Sequence, residues 1–473
     1  MTRMRKWLVN SGVALAVFVL LTITGFLIDR WRGQREWQRY RAAALAGSVK
    51  LSFRDFLPPE VPPAENYATG TIFERYRTIK GSDGESLRPL RIPLPAKTNL
   101  KIFTAQDRLA RAFDGMVEAG WLKSDSSSSE KRRAVLMGLE RFRQELDELR
   151  AARSRPGCHF PQSDLPPPKT EFHAIGIAQD VGVVWSLRMD AHLAVGEPAE
   201  ALEDFHDAVR LYRALLSEPS MISGLVRQSV LTLILRSVDG GIASRQWRPD
   251  DLREIAAKLA EIDLMADAKH AFTSERGFVN DASEWLRQES LPEQIRRMEM
   301  ADLFDQQPHS WRLLFKVSGG EPWREQVMEN RVLDFRLADL AGSLARVYES
   351  TLPADVSDEL QFTGITGQVA KRVAVLEISR RQTLVACALE RWGMQHGAFP
   401  EILTELVPEW IPALPKDLSD EQPLRYRRAE PDAFVLYSVG ANARDDGGSK
   451  DVDRRLPGPY RALDWVWGEN WRN

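Results

Sequence analysis

From Trp7 to Ile28 the chain runs 22 residues, WLVNSGVALAVFVLLTITGFLI, without one charged side chain. A segment without water to satisfy its peptide groups must bond them internally, which favours a helix. At about 1.5 Å per residue this helix reaches roughly 33 Å, enough for a bilayer core. Asn10, Ser11, Thr22 and Thr24 are its polar interruptions, and hydroxyls can bond back to the carbonyl one turn earlier. The run exceeds the ~7–15 apolar residues of a cleaved signal's core. Asp29-Arg30-Trp31-Arg32 follows it directly, and the A-x-A-like Ala44-Leu45-Ala46 lies well downstream. A basic tail over 1–6 and a retained transmembrane helix over 7–28 are expected. Orientation is open on charge alone. Arg30, Arg32, Arg35, Arg39 and Arg41 outnumber Arg3, Arg5 and Lys6, which favours the C-terminal flank inside, whereas a short basic tail usually starts an N-in anchor.

The rest of the 473 residues is globular in character, with 43% hydrophobic and 28% charged residues. A formal net charge of −3 gives no basic excess, so nucleic acid is not an expected partner. Cys158 and Cys387 stand far apart, too few for a thiolate zinc site. They are either two unpaired buried thiols or one disulfide.

Organisation follows from proline and periodicity. Over 29–103, a charged helix carrying Trp31, Trp37 and Tyr40 suits a headgroup layer. Pro58-Pro59-Glu60-Val61-Pro62-Pro63 then forms a stiff spacer or a strap along the domain. Over 104–396 helical spacing dominates, broken by a proline-rich stretch at 156–168. Ser127-Ser128-Ser129-Glu130 caps a helix running to about Arg153. Stripes at Leu252, Ile255, Leu259 and Ile262, at Leu337, Ala341, Leu344, Ala345 and Tyr348, and at Leu384, Val385, Ala388, Leu389 and Trp392 must bury against one another. Trp185, Gly196, Ala201, Phe205 and Ala208 match a tetratricopeptide-type helix hairpin, although Arg188, Met189 and His192 depart from it and no second copy follows.

Over 397–473 the pattern changes. His396-Gly397 closes a helix, Phe399-Pro400 opens a short one from Glu401 to Val407, and two alternating runs, 424–427 and 434–438, predict a β-hairpin. An acidic, glycine-rich loop follows. The expected fold is thus mainly α, an irregular helical array behind an N-terminal transmembrane helix, with a small C-terminal β-hairpin.

The segments HGAFPEILTELVPEWIPALPKDLSDEQPLRYRR and FVLYSVGANARDDGG resemble the C-terminal segment of type II secretion major pseudopilins and of uncharacterised bacterial single-pass membrane-anchored proteins. The likeness covers roughly 380–467. No glutamate stands where a pseudopilin has one, since Gly25-Phe26 is followed by Leu27, Ile28, Asp29 and Arg30. The resemblance implies an inner-membrane protein with its large domain outside. It also implies calcium at the acidic loop, with Asp445, Asp446, Asp451 and Asp453 as candidate ligands supported by backbone carbonyls. The competing reading of these aspartates is a solvated turn that caps its own backbone.

No HExxH, G-x-S-x-G or phosphate-binding glycine loop is present. No catalytic residue or cofactor-binding residue is named, and calcium is the sole cofactor considered. Two classes of function are expected: a membrane-tethered cell-envelope interaction or scaffold protein with other envelope proteins as partners, or an envelope hydrolase whose carboxylates meet only in the fold. The resemblance adds an accessory of a secretion apparatus. An open aromatic groove would favour the scaffold, and a pocket of convergent acids with raised pKa the enzyme.

Overall fold

The helix does not end where the charges begin. In the computed structural model, which describes residues 2–76, 90–94, 104–123, 128–161, 173–289, 319–341, 347, 361–449, 451–452 and 462–468, a single helix α1 spans Thr2–Ala46. Its first part stands clear of the protein, with Val13, Leu15, Phe18 and Leu21 all exposed. Thr22 and Thr24 donate their hydroxyls to Phe18 O and Leu20 O, both at 2.8 Å, so neither is left unsatisfied. The helix is long and apolar enough to cross a membrane.

Two further pieces precede the helical body. A 3₁₀ turn covers Phe53–Phe56 and the one-turn helix α2 covers Ile72–Arg75. The body comprises α3 (Ala105–Glu118), α4 (Ser128–Leu139), α5 (Arg143–Ala152), α6 (His173–Ala194), α7 (Pro198–Ala214), α8 (Met221–Ala243), α9 (Pro249–Ala260), α10 (Leu264–Gln288), α11 (Glu321–Ala341) and α12 (Gln361–His396). Helix α8 is also long and largely apolar, but it carries Arg227, Arg236 and Asp239 and lies in the interior, with α6 and α12 against it. A helix apolar all round belongs either in lipid or in a core, and burial separates α8 from α1. Helices α3, α4 and α7 cover α6, while α9, α10 and α11 pack on α12.

Helices α6 and α7 pack against each other as consecutive helices. Gly196, at φ 81°, turns α6 into α7, and Trp185, Ala201, Phe205 and Ala208 are buried between them. Helix α9 then leans on α12 and α7. Inside, Arg108 and Asp190 are fully buried and pair at 2.8 Å, with Ser186 and Ser237 accepting from the same guanidinium.

Four local expectations need correction. The helix expected from Ser127 to Arg153 is broken by a 3₁₀ turn at Glu140–Phe142. The stripe Val135, Leu139, Phe142, Leu146, Leu149 stays buried throughout, so its spacing could not reveal the tightening. The helix expected at Glu401–Val407 is a 3₁₀ turn over Leu403–Leu406. Trp37 and Tyr40 face α11 rather than a headgroup layer: Trp37 is buried and the Tyr40 hydroxyl donates to Asp334 at 2.9 Å. Finally, the hairpin of β1 (Arg425–Glu430) and β2 (Ala433–Ser438) carries a third strand, β3 (Trp465–Val466), in the order β1-β2-β3, all antiparallel. Leu344, Ala345 and Tyr348 of the second apolar stripe lie outside the described residues, as does most of the break at 156–168.

The proline-rich piece is a strap. Ser52 Oγ and Phe53 N donate to Asp281 on α10. Tyr67 N donates to Gly157 O and Gly157 N to Glu65 O, each at 3.0 Å, which ties the far end to the residues after α5. Arg210 of α7 covers the Tyr67 ring at 4.3 Å.

Candidate interaction groove

The last turn of α12, the start of α9 and the chain after α12 enclose an open hollow. Gly397, at φ 75°, ends α12 and sends the chain back across it. Phe399 N then donates to Pro431 O at 2.9 Å, and the Phe399 ring meets Phe434 edge-on at 4.8 Å. Leu403 and Leu406 bury beneath, so Trp410 is delivered to the end of α12. There Trp392 and His396 stack at 4.0 Å, and Trp410 meets both edge-on at 5.7 and 5.8 Å.

Arg391 lies 5.2 Å from the Trp410 ring centre and its Nη1 donates to Trp410 O at 3.4 Å. Burial pulls the Arg391 pKa down, with Arg253 adding to the effect. The groove, about 410 Å³, is lined by Pro249, Arg253, Arg391, Met394, Gln395, Glu409 and Trp410. A smaller hollow of about 100 Å³ shares Met394 and continues to Arg245, Glu390 and Asp432. Burial pushes the Glu390 carboxyl up, opposed by Arg245. Trp410 Nε1 is shielded from solvent and has no acceptor, a donor left unspent beside the groove.

Trp, Arg and Met side chains held rigidly around an open hollow are the composition of protein-recognition hot spots. Other acids with raised pKa lie elsewhere. Burial pushes Asp207 up to about 6, Asp239 to about 7 and Glu329 to about 8. Asp207 is held by Arg150 and Arg153 between α5 and α7. Asp239 accepts from Thr383 and Trp467, which ties α8 to α12 and the C-terminal strands. Glu329 lies on α11, with Glu325 and Glu275 raising it further.

The calcium candidates that are described, Asp445, Asp446 and Asp451, do not converge. Asp445 accepts from the Tyr437 hydroxyl (2.8 Å) and Gly447 N (3.0 Å), contacts that hold its carboxyl below the usual range. Asp446 accepts from Asn442 Nδ2, Asp451 is exposed, and Asp453 lies outside the described residues. The loop turns its amides inward: Asp446, Gly448 and Ser449 N–H groups all donate to the buried carboxylate of Asp464. Calcium needs inward oxygens, about 6–8 of them, whereas the described part of the loop turns amide N–H groups inward. Among the described residues no group of three or more His, Cys, Asp and Glu side chains is placed to hold a metal.

Sequence reasoning missed Asp464 and Asp417. The latter is fully buried and accepts from Ser419 N, Ser438 Oγ and Val439 N. The Asp417-x-Ser419 spacing of a turn in which an aspartate caps its own backbone was the available signal. Cys158 and Cys387 are both free thiols, and burial pushes Cys158 up to about 11. Neither has the lowered pKa of a reactive thiol. Comparison with known protein families, characterised proteins and solved structures finds no match to the chain.

Proposed function

We propose that the chain is a membrane-tethered scaffold of the cell envelope that receives a partner protein in the groove at Trp410. The observation that carries this reading is the open groove itself, walled by Trp410, Arg391 and the exposed Met394, with the Trp392 and His396 rings packed against Trp410. In the adjoining smaller hollow the buried acid of raised pKa, Glu390, has Arg245 beside it. That arrangement suits recognition better than hydrolysis. Apolar exposure along α1 supports a single-pass anchor, and the C-terminal resemblance supports the inner membrane with the domain outside.

A photo-crosslinking residue at Met394, in the full-length chain in its native membrane, tests the reading. A discrete cross-linked protein is expected, absent when the crosslinker is moved to the exposed Met137 of α4. Trp410→Ala should weaken its capture by ~30-fold, the effect of losing a hot-spot aromatic. Equal cross-linking from both positions, or capture indifferent to Trp410→Ala, contradicts the groove.

A further inference from the structure

Between Asp29 and Ala46, α1 carries two acidic residues, Asp29 and Glu36, and five arginines. The structure separates them by side. Asp29 takes Gly320 N (2.8 Å) and Arg324 Nη1 (2.9 Å), and Glu36 pairs with Arg331 at 3.9 Å, all on or just before α11. Gly33 and Gly320 let the two helices touch: a Cβ on Gly33 would sit 2.4 Å from Gly320 O. The contacts advance together, Asp29 with Arg324, Glu36 with Arg331 and Tyr40 with Asp334, so α1 and α11 run parallel. Both acids are spent on the domain.

The outward side of the same helix holds Arg30, Arg32, Arg35, Arg39 and Arg41, all exposed. Among the described residues none of the five forms a direct ion pair, and Arg35 lies 5.0 Å from the ring centre of the half-exposed Trp31. At about 1.5 Å per residue they rise over roughly 16 Å, beginning two residues after the apolar run stops. Arg30, Arg32 and Arg35 fall within about one screening length of the end of that run at physiological salt. An uncompensated cationic collar with an interfacial tryptophan complements a negatively charged surface.

We infer that the outward face of α1 from Arg30 to Arg35 binds the headgroups of anionic phospholipids. The inference rests on α1 being a retained membrane anchor. The occupant is lipid rather than an acidic protein because the collar starts at the end of the apolar run and is continuous with it. Docking on α11 engages Asp29 and Glu36 with Arg324 and Arg331 on the side of α1 that faces the domain.

The test uses the full-length chain in nanodiscs of phosphatidylcholine containing a third phosphatidylglycerol, with retained lipid counted by native mass spectrometry. Wild type should retain phosphatidylglycerol over phosphatidylcholine by about tenfold, falling towards parity as salt approaches ~1 M, where screening shortens to about 3 Å. Arg30→Gln/Arg32→Gln/Arg35→Gln should abolish most of that preference, whereas Arg5→Gln/Lys6→Gln should leave most of it. A chain that inserts but shows no preference, or a preference unchanged in the triple variant, overturns the inference while leaving the anchor intact. A chain that does not co-elute with nanodiscs overturns the anchor reading and the collar with it. If the triple variant loses only a protein cross-link formed from this face in cells, with lipid retention unchanged, the occupant is an acidic protein and the lipid inference is wrong.

Discussion

Asp239 shows how one buried carboxyl joins three parts of the chain. It sits near the end of α8, accepts from Thr383 of α12 at 2.8 Å and from Trp467 beyond β3 at 2.9 Å, and burial pushes its pKa up to about 7. Burial outweighs the two hydrogen bonds, which act in the opposite direction. A carboxyl that holds its proton more tightly folded than unfolded stabilises the fold fully below its ordinary value near 4. That contribution is lost as pH rises through about 7. Asp239→Asn keeps an acceptor for Trp467 and Thr383 but cannot ionise. The thermal midpoint of wild type should therefore fall relative to Asp239→Asn between pH 4 and 8, with the two curves closest at the acid end. Parallel curves across that range would mean that Asp239 does not titrate as its burial requires. The sequence marked Asp239 only as one more acid in a helix. Its partners stand 144 and 228 residues away, and no local pattern joins them.

Helices were legible wherever a stripe had one face to bury. Leu252, Ile255 and Leu259 are fully buried on α9, and Val385, Ala388 and Leu389 are buried on α12. Trp392 continues that second stripe and its ring packs against Trp410, whereas the groove is assembled from Pro249, Arg391 and Trp410 on three separate segments. Strand β3 has only two residues, too few for alternation to register. The acidic loop was legible as a turn, but its centre was not, since Asp464 reaches it from 15 to 18 residues further on. The Gly33–Gly320 approach was equally silent in sequence, since a small residue matters there only once two distant helices meet. Gly33→Val is expected to separate α1 from α11, because its Cβ would lie within 3 Å of three backbone atoms around Gly320. Limited trypsin digestion in detergent reads this out at Arg30 to Arg41. Cleavage should quicken by about tenfold, the equivalent of ~1.4 kcal/mol of easier local opening. Unchanged cleavage would mean that α1 is not held by this contact.

At the scale of the whole molecule, α1 and α11 run parallel while α10 returns against α11, with Arg276 opposite Asp334, Asn280 opposite Asn330 and Arg287 stacked on Trp323. The end of α10 and the start of α11 therefore lie level with Asp29, where the apolar run stops. The strap from Ser52 to Thr71 crosses from α10 to the residues after α5, so the segment leaving α1 clamps the body it supports. On this account the helix is a structural member of the domain, and its removal would strip α11 of the partners of Arg324 and Arg331. The most direct test of the tethered scaffold is intact-mass analysis of the protein recovered from its native membrane after an alkaline wash. The account predicts that the chain stays in the membrane pellet and begins at Met1 or Thr2. A washed-out chain whose mature start falls between Asp29 and Gly47 would contradict it.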